Sequence, residues 1–595
     1  MGISLHGGMG AIAYDGGVAF RVWAPFAKSV SVAGDFNNWS AGAAELEEEG
    51  GGYWSTDVDG AQDGQEYKFV LHTARGELHR IDPYAHEVTN SVGSSVVYED
   101  TFDWGDVPYR TPGWDELVVY ELHVGTFNDQ PGGAPGGFQS VIARLDYLRD
   151  LGVTAIEVMP SAEFAQDFSW GYNPANIFAV EQAYGGPDKF KSLVRAAHER
   201  GIAVIGDVVY NHFGPGDLDL WDFDGWSENG GGGIYFYNDR RRQTPWGDTR
   251  PDYGREEVVA YLRDNARMWL ESYRFDGLRW DATNYIRSIY GSGAPDDIPD
   301  GWRMMQTITA DTDARQPWKL HIAEDLQSLD AVTEPTDSGG AGFDSQWAAD
   351  FVHPVREALT ATMDGARSMV ALRDAIVGGA GSLTRRVIYT ESHDEVANGK
   401  TRLPTSISPN SPTDWWARKR STLGAALVFT APGIPMIFQG QEHLEEHWFN
   451  DEVPVDWNRQ QTYSGIVSLY RDLIRLRRNQ SGTTAGLRGG AVSVHHLNDD
   501  DNVIAYHRWQ NGGPRDDVVV VANAANRSYS SYRIGLPRPG RWRVRFNSDW
   551  PGYSNDFGSQ PAFDTQTDDR PADGMPCSAG IGIGPYSTVI LSQDD

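Results

Sequence analysis

Four short segments concentrate side chains able to do nucleophilic and acid/base chemistry: Asp207-Val-Val-Tyr-Asn-His212, Gly277-Leu-Arg-Trp-Asp281, Ile322-Ala-Glu-Asp325 and Ser392-His-Asp394. Arg279 and Asp281 are two residues apart, so on a strand they face the same side. A guanidinium beside a carboxylate favours its ionised form, as a nucleophile for a glycosidic carbon requires. Glu324, from a neighbouring strand, is placed to act as the partner acid. A retaining glycosidase needs its two carboxyls about 5–5.5 Å apart, and neighbouring strands lie about 4.8 Å apart. His212, His393 and Asp394 are then placed to bind sugar hydroxyls. Each piece alone has a plainer reading. Asp207 reads best as a buried structural ion, the histidines as hydrogen-bonded loop residues, Arg279–Asp281 as an ordinary ion pair, and Glu324-Asp325 as a solvated loop. The combination, in this order, carries the inference.

These groups need a scaffold that brings several strand ends together. From about residue 115 to 480, short apolar runs alternate with amphipathic helical stretches. Candidate strands begin near Val118, Ala155, Ala203, Gly277, His321, Phe343, Val387 and Met436. Eight strands with eight connections suit a (β/α)₈ TIM barrel, whose catalytic groups sit at the C-terminal strand ends. The polar segments above follow the third, fourth, fifth and seventh strands. On the fourth strand, alternation turns Trp280 outward toward the helices. A Gly-, Asp- and aromatic-rich stretch at about 213–254 reads as an excursion after the third strand. Its Trp221, Trp226, Tyr235, Phe236 and Tyr237 are expected to form one wall of an acceptor groove. Short alternating strands fill residues 1–105 and return in 485–595, predicting an N-terminal β-sandwich and a C-terminal all-β domain around a catalytic unit at 106–484. Trp23, within a strand, is expected to be core.

Composition narrows the partners. A formal net charge of −33 argues against nucleic acid and against an anionic membrane surface, and a neutral polysaccharide is indifferent to it. The 50 basic residues are 7 Lys and 43 Arg, a bias that fits either a salt-adapted host or a GC-rich genome. The single cysteine, Cys577, excludes an internal disulfide and a cysteine zinc site. The start of the chain lacks a basic segment followed by an apolar run, and no stretch approaches the ~20 apolar residues of a membrane span, so a cytoplasmic protein is expected. The oligomeric state is left open.

The four ordered segments resemble the motifs of the α-amylase superfamily of glycoside hydrolases, and the Phe20–Trp39 pattern is similar to the starch-type carbohydrate-binding module of branching and debranching enzymes. The resemblance implies Asp281 as nucleophile, Glu324 as general acid/base and Asp394 as transition-state stabiliser. It implies that Arg279, His212 and His393 bind around the same sugar, that Asp207 supports Arg279, and that Tyr172 stacks under the reacting ring. It implies no required metal or other cofactor. Amylases carry Lys-His three and four residues after the nucleophile, where this sequence has Asn284 and Tyr285. The segments Trp170-Gly-Tyr-Asn-Pro174, Ser392-His-Asp-Glu395 and Val455-Asp-Trp457 resemble glycogen branching enzymes. Tyr120–Phe127, Asn211–Pro215 and Thr244–Asp248 resemble maltooligosyltrehalose trehalohydrolases. Because its resemblance includes the seventh-strand motif, the expected activity is 1,4-α-glucan branching on an α-glucan or maltooligosaccharide. Trehalose release and plain amylolysis are the alternatives, and a non-catalytic glucan-binding protein is disfavoured by retention of all three carboxylates.

Overall fold

The computed structural model describes residues 2–378 and 385–595. Near the N-terminus, nine antiparallel strands between Gly10 and Val96 form one sheet, eight of them along a single hydrogen-bonded path and the ninth, Gly76–Arg80, paired beside it with Glu66–Thr73. Strand Glu45–Gly50 joins its two halves by pairing with both Ser29–Gly34 and Tyr53–Asp59. The path folds into a sandwich. Phe20 of Gly17–Trp23 touches Tyr67 and Phe69 of Glu66–Thr73 at ring distances of 5.0 and 6.5 Å, although three strands separate the two along the path. Alternation sets this packing: Val18, Phe20 and Val22 share one face and are fully buried. Trp23 is core as well, edge-on to Tyr235 at 5.6 Å.

Eight parallel strands then close a barrel in chain order: Val119–Leu122, Ala155–Val158, Ala203–Val208, Gly277–Trp280, Leu320–Ala323, Ser345–Trp347, Arg386–Ile388 and Ile434–Phe438. Pairing of Val119 with Met436 closes the ring. The sixth strand starts two residues later than its sequence suggests, because Asp344 instead accepts the backbone N–H of His321 at 2.8 Å. Alternate residues split between two cores. Val119, Ala155, Ala203, Ile205, Ile322 and Trp347 fill the barrel, whereas Leu278 and Trp280 join the helix layer. Trp280 packs edge-on against Tyr210 and Phe343 and donates its indole N–H to His321 at 3.1 Å.

The stretch from Phe213 to Gly254 is largely irregular, with two short 3₁₀ turns. It docks on the N-terminal sandwich: Arg80 donates to the Phe223 carbonyl at 2.9 Å, Asp224 accepts from the Phe26 N–H at 2.9 Å, and Phe26 stacks on Trp226 at 4.5 Å. This corrects the expected acceptor wall. Tyr235, Phe236 and Tyr237 are buried, Trp226 is covered by Phe26, and Trp221 leans on Phe236. The excursion spends these rings on its own attachment.

Toward the C-terminus, a six-stranded sheet and a two-stranded sheet share one core containing Val503, Val519, Ile534, Leu536, Trp542 and Cys577. It meets the barrel through helix Trp415–Thr430, where Lys419 Nζ pairs with Asp549 Oδ1 at 2.6 Å and neither side chain reaches solvent. Among the described residues no helix is long and apolar enough to cross a membrane.

Candidate active site

The polar segments converge where their strands end. Asp207 and Arg279 lie side by side in the register of the third and fourth strands, and Arg279 pairs laterally with Ile322 of the fifth. Arg279 is fully buried, with its guanidinium over the Trp347 ring at 4.3 Å. It contacts three carboxylates: Nη1 lies 2.7 Å from Asp207 Oδ2 and 3.1 Å from Asp281 Oδ1, and Nη2 lies 2.7 Å from Glu324 Oε2. One cation thus gathers the ends of three strands. Tyr172 completes this layer by donating its hydroxyl to Asp207 Oδ2 at 2.6 Å, while its ring stacks on His393 at 4.9 Å.

Backbone ladders fix the two candidate reacting carboxyls. The Asp281 N–H donates to Val208 O at 3.0 Å, the Glu324 N–H to Trp280 O at 3.0 Å, and the Thr283 N–H to Glu324 O at 2.9 Å. Ala282 has a left-handed φ of 40° and donates its N–H to Glu324 Oε2 at 2.9 Å. A non-glycine residue in that region is uncommon and strained, and here it ties the segment after Asp281 to Glu324. Asn211 Nδ2 donates to Asp281 Oδ2 at 2.6 Å and to the Asp281 carbonyl at 2.8 Å. Gly206 on the third strand has its own cause: a Cβ there would meet Phe275 Cε2 at 2.3 Å.

Burial and neighbouring charges separate the titrating groups. Burial raises Glu324 to about 8, against the pull of Arg279 and with help from the negative charges of Asp281 and Asp394. Burial likewise lifts Asp207 to about 7 despite Arg279. Burial drives His212 down to about 4, so it is neutral, with Nδ1 against Asn211 Oδ1. Burial works against charge on His393 too, but Glu121 overcomes it and lifts that imidazole to about 9. Glu121 Oε1 contacts His393 Nδ1, and its Oε2 accepts the His393 backbone N–H at 3.1 Å. Asp394 is the open member of the set: its side chain is 45% exposed and lies 3.7 Å from His393 Nε2.

All eight residues singled out in the sequence therefore fall in one connected cluster or on its rim. Several others belong with them. Glu121 and Asn211 lie within the segments Tyr120–Phe127 and Asp207–His212, but only the fold reveals their partners. Trp347 gives no signal beyond being aromatic on a strand. Trp246, 44% exposed, stacks on His212 at 4.7 Å and meets Tyr285 edge-on at 5.2 Å, so an aromatic rim exists at a position not anticipated. Asp325 and Glu395 turn away from the cluster. Asp325 takes a two-point bond from Arg287, both arms 2.8 Å, and Glu395 pairs with Lys400 at 2.9 Å. Among the described residues no group of three or more His, Cys, Asp or Glu is arranged to hold a metal ion.

Family models match in three places: the α-amylase catalytic domain over residues 121–219, carbohydrate-binding module 48 (isoamylase N-terminal domain) over 8–85, and the α-amylase C-terminal all-β domain over 494–594. The chain is 31% identical to the 1,4-α-glucan branching enzyme GlgB of Rhodopseudomonas palustris (strain HaA2), covering 97% of this chain and 82% of that protein. It belongs to the 1,4-α-glucan branching enzyme family. A second member of that family, GlgB of Marinobacter nauticus, is 30% identical over 97% of this chain and 94% of its own length. The arrangement of sandwich, barrel and C-terminal β-domain also matches solved structures. Pullulanase type I from Bacillus subtilis str. 168, complexed with maltose, superposes with a TM-score of 0.75 at 22% identity, covering 100% of this chain and 86% of the other. Pullulanase from Anoxybacillus sp. LM18-11, complexed with maltotetraose, gives 0.74 at 22%, covering 99% and 88%. At that identity the likeness speaks for the fold alone.

Proposed function

We propose that the chain cleaves α-1,4-glucosidic bonds with retention and transfers the released chain to a glucan 6-hydroxyl, forming an α-1,6 branch. The observation that carries the chemistry is the Arg279 guanidinium contacting Asp281 and Glu324 together. Membership in the branching enzyme family supports transfer over hydrolysis.

Asp281 is the nucleophile. Asn211 and Arg279 each bond one of its oxygens, which aims the carboxylate at the reacting carbon. Glu324 is the acid: burial keeps its proton in place at neutral pH. Oε2 already faces the Ala282 N–H and Arg279, so the proton belongs on Oε1. In the first half-reaction that proton moves to the glycosidic oxygen as the C1–O bond breaks, and Asp281 forms an ester to C1. In the second, the Glu324 carboxylate takes the proton of an acceptor 6-hydroxyl, whose oxygen attacks C1 and releases Asp281. Asp394, open and beside the protonated His393, binds the hydroxyls of the same ring. His212 and Tyr172 shape its walls. The natural partner is an α-glucan, approaching past the Trp246 rim.

Amylose treated with the enzyme tests the reading. New α-1,6 linkages with little gain in reducing ends are expected by NMR. Linear maltooligosaccharides without new linkages would replace it with amylolysis, and free trehalose from maltooligosyltrehalose would replace it with trehalose release. Neither result alters the assignment of Asp281 and Glu324.

A further inference from the structure

A cleft of about 580 Å³ opens at the opposite end of the barrel. Its walls come from segments that precede strands: Thr111 before the first, Arg195 and His198 before the third, Arg274 and Asp276 before the fourth, and Lys319 before the fifth. Asp281 and Glu324 follow those same strands, so the barrel's length separates the two sites. The volume lies within the range of about 300–1,000 Å³ typical of small-molecule sites.

The lining holds four cations, Arg110, Arg195, Arg274 and Lys319, against two acids, Glu271 and Asp276. Both acids are already engaged. Glu271 takes a two-point bond from Arg315 at 2.6 and 2.8 Å, and Asp276 accepts from His198 at 2.9 Å, Thr111 at 2.6 Å and the Val204 N–H at 2.9 Å. Two of the cations are engaged too: Lys319 donates to the Phe275 carbonyl at 2.5 Å, and Arg195 to the Asp103 carbonyl at 2.7 Å. Arg110 and Arg274 have no carboxylate partner among the described residues. Arg274 adopts a left-handed φ of 57°, and its guanidinium lies over the Trp104 ring at 4.5 Å, which leaves its N–H edge free. Trp318 in the same lining is 56% exposed. In a chain of net charge −33, two uncompensated guanidiniums in one concavity make a local field that selects anions.

We propose that this cleft is a second binding site, remote from the reacting carboxyls, for a phosphorylated ring compound: a sugar phosphate or a nucleotide. Planar guanidinium forks match phosphate oxygens, and the exposed Trp318 offers a face to the ring. A neutral glucan would use Trp318 alone and leave both arginines unpaired.

Calorimetric titration of the full-length protein with ADP, glucose 1-phosphate and inorganic phosphate, with maltose as the neutral control, tests this. Saturable binding of ADP or glucose 1-phosphate is expected, and the stronger of the two identifies the source of the phosphate. The affinity should fall about tenfold or more in the Arg110→Ala/Arg274→Ala double variant, and fall again as added salt screens the site, with activity on amylose unchanged. No saturable binding of any phosphorylated probe, equal binding by the double variant, or maltose binding as tightly as the phosphorylated probes would each overturn the proposal. If the double variant folds poorly, Trp318→Phe serves instead. It should abolish the probe-induced change in tryptophan fluorescence, and persistence of that change would also overturn the proposal.

Discussion

Glu324 Oε2 lies 2.7 Å from Arg279 Nη2, yet burial still holds Glu324 up at about 8. The contact orients the carboxyl without ionising it, because the same guanidinium is shared with Asp207 and Asp281. An acid that must give and then retrieve a proton benefits from that division.

The pH dependence follows. Proton donation requires protonated Glu324, so the rate of bond cleavage should fall as pH rises through about 8. Glu324→Gln should abolish that limb and lose natural-substrate turnover, while an α-glucosyl fluoride, which needs no proton for departure, should still form the ester. Stability moves too. The folded-state value is raised, so folding is favoured below the ordinary carboxylate value of 4.5 and is progressively penalised as pH rises from there through about 8. At neutral pH Glu324→Gln should therefore melt at a higher temperature than the unaltered protein. A lower melting temperature in calorimetry would contradict the burial argument.

Asp281→Asn should fold normally and lose turnover on the order of 10⁴-fold, the scale seen when one member of a bond-making unit is removed. An amide cannot form the glycosyl ester, so an activated fluoride should not restore it. Mass spectrometry of the denatured Glu324→Gln variant after reaction with the fluoride should find the glucosyl adduct on Asp281. An adduct on another residue would reassign the nucleophile.

Glu121→Gln should lower the His393 titration, because Glu121 is what raises that imidazole to about 9 against burial. His393 contributes stability that is full below its unfolded value of about 6.5 and is lost as pH rises through about 9; the variant should lose that dependence. A histidine NMR titration checks the shift, and unchanged behaviour would mean that Glu121 is not the partner that matters.

Trp246→Ala should leave the fold intact, since the ring is 44% exposed, while raising KM for long glucans by about two- to tenfold, the worth of one aromatic stacking contact. kcat on short substrates should hardly move. An equal loss of kcat on all substrates would point instead to collapse of His212, on which the ring rests.

Much of this was legible in one dimension. Short apolar runs between helical stretches located all eight barrel strands, and the pairing of Arg279 with Asp281 followed from their two-residue spacing. Glu121 and Asn211 were harder, since their roles come from His393, 272 residues away, and Asp281, 70 residues away. Closure of the barrel creates such partnerships, between the ends of neighbouring strands for Asn211 and Asp281 and between the first strand and the end of the seventh for Glu121 and His393, and no local pattern encodes it. The excursion misled for a related reason. Aromatic residues in a polar loop suit sugar stacking and domain packing equally, and what decides between them is whether another surface lies opposite. Tyr235 found Trp23 and Trp226 found Phe26, whereas Trp246, among the described residues, has ring contacts with His212 and Tyr285 and stays 44% exposed.

Lys419 and Asp549 neutralise one another out of reach of water, one on a barrel helix and the other in the turn that follows strand Arg541–Asn547 of the C-terminal domain. Removing either partner strands a buried charge, at a cost of about 3–5 kcal/mol. That couples the two parts in descent as well as in stability. A recombination event that replaced the last hundred residues with those of another lineage would have to import an anion at the same spot, or change the lysine in the same step. The barrel and its C-terminal domain are therefore bound to be inherited together.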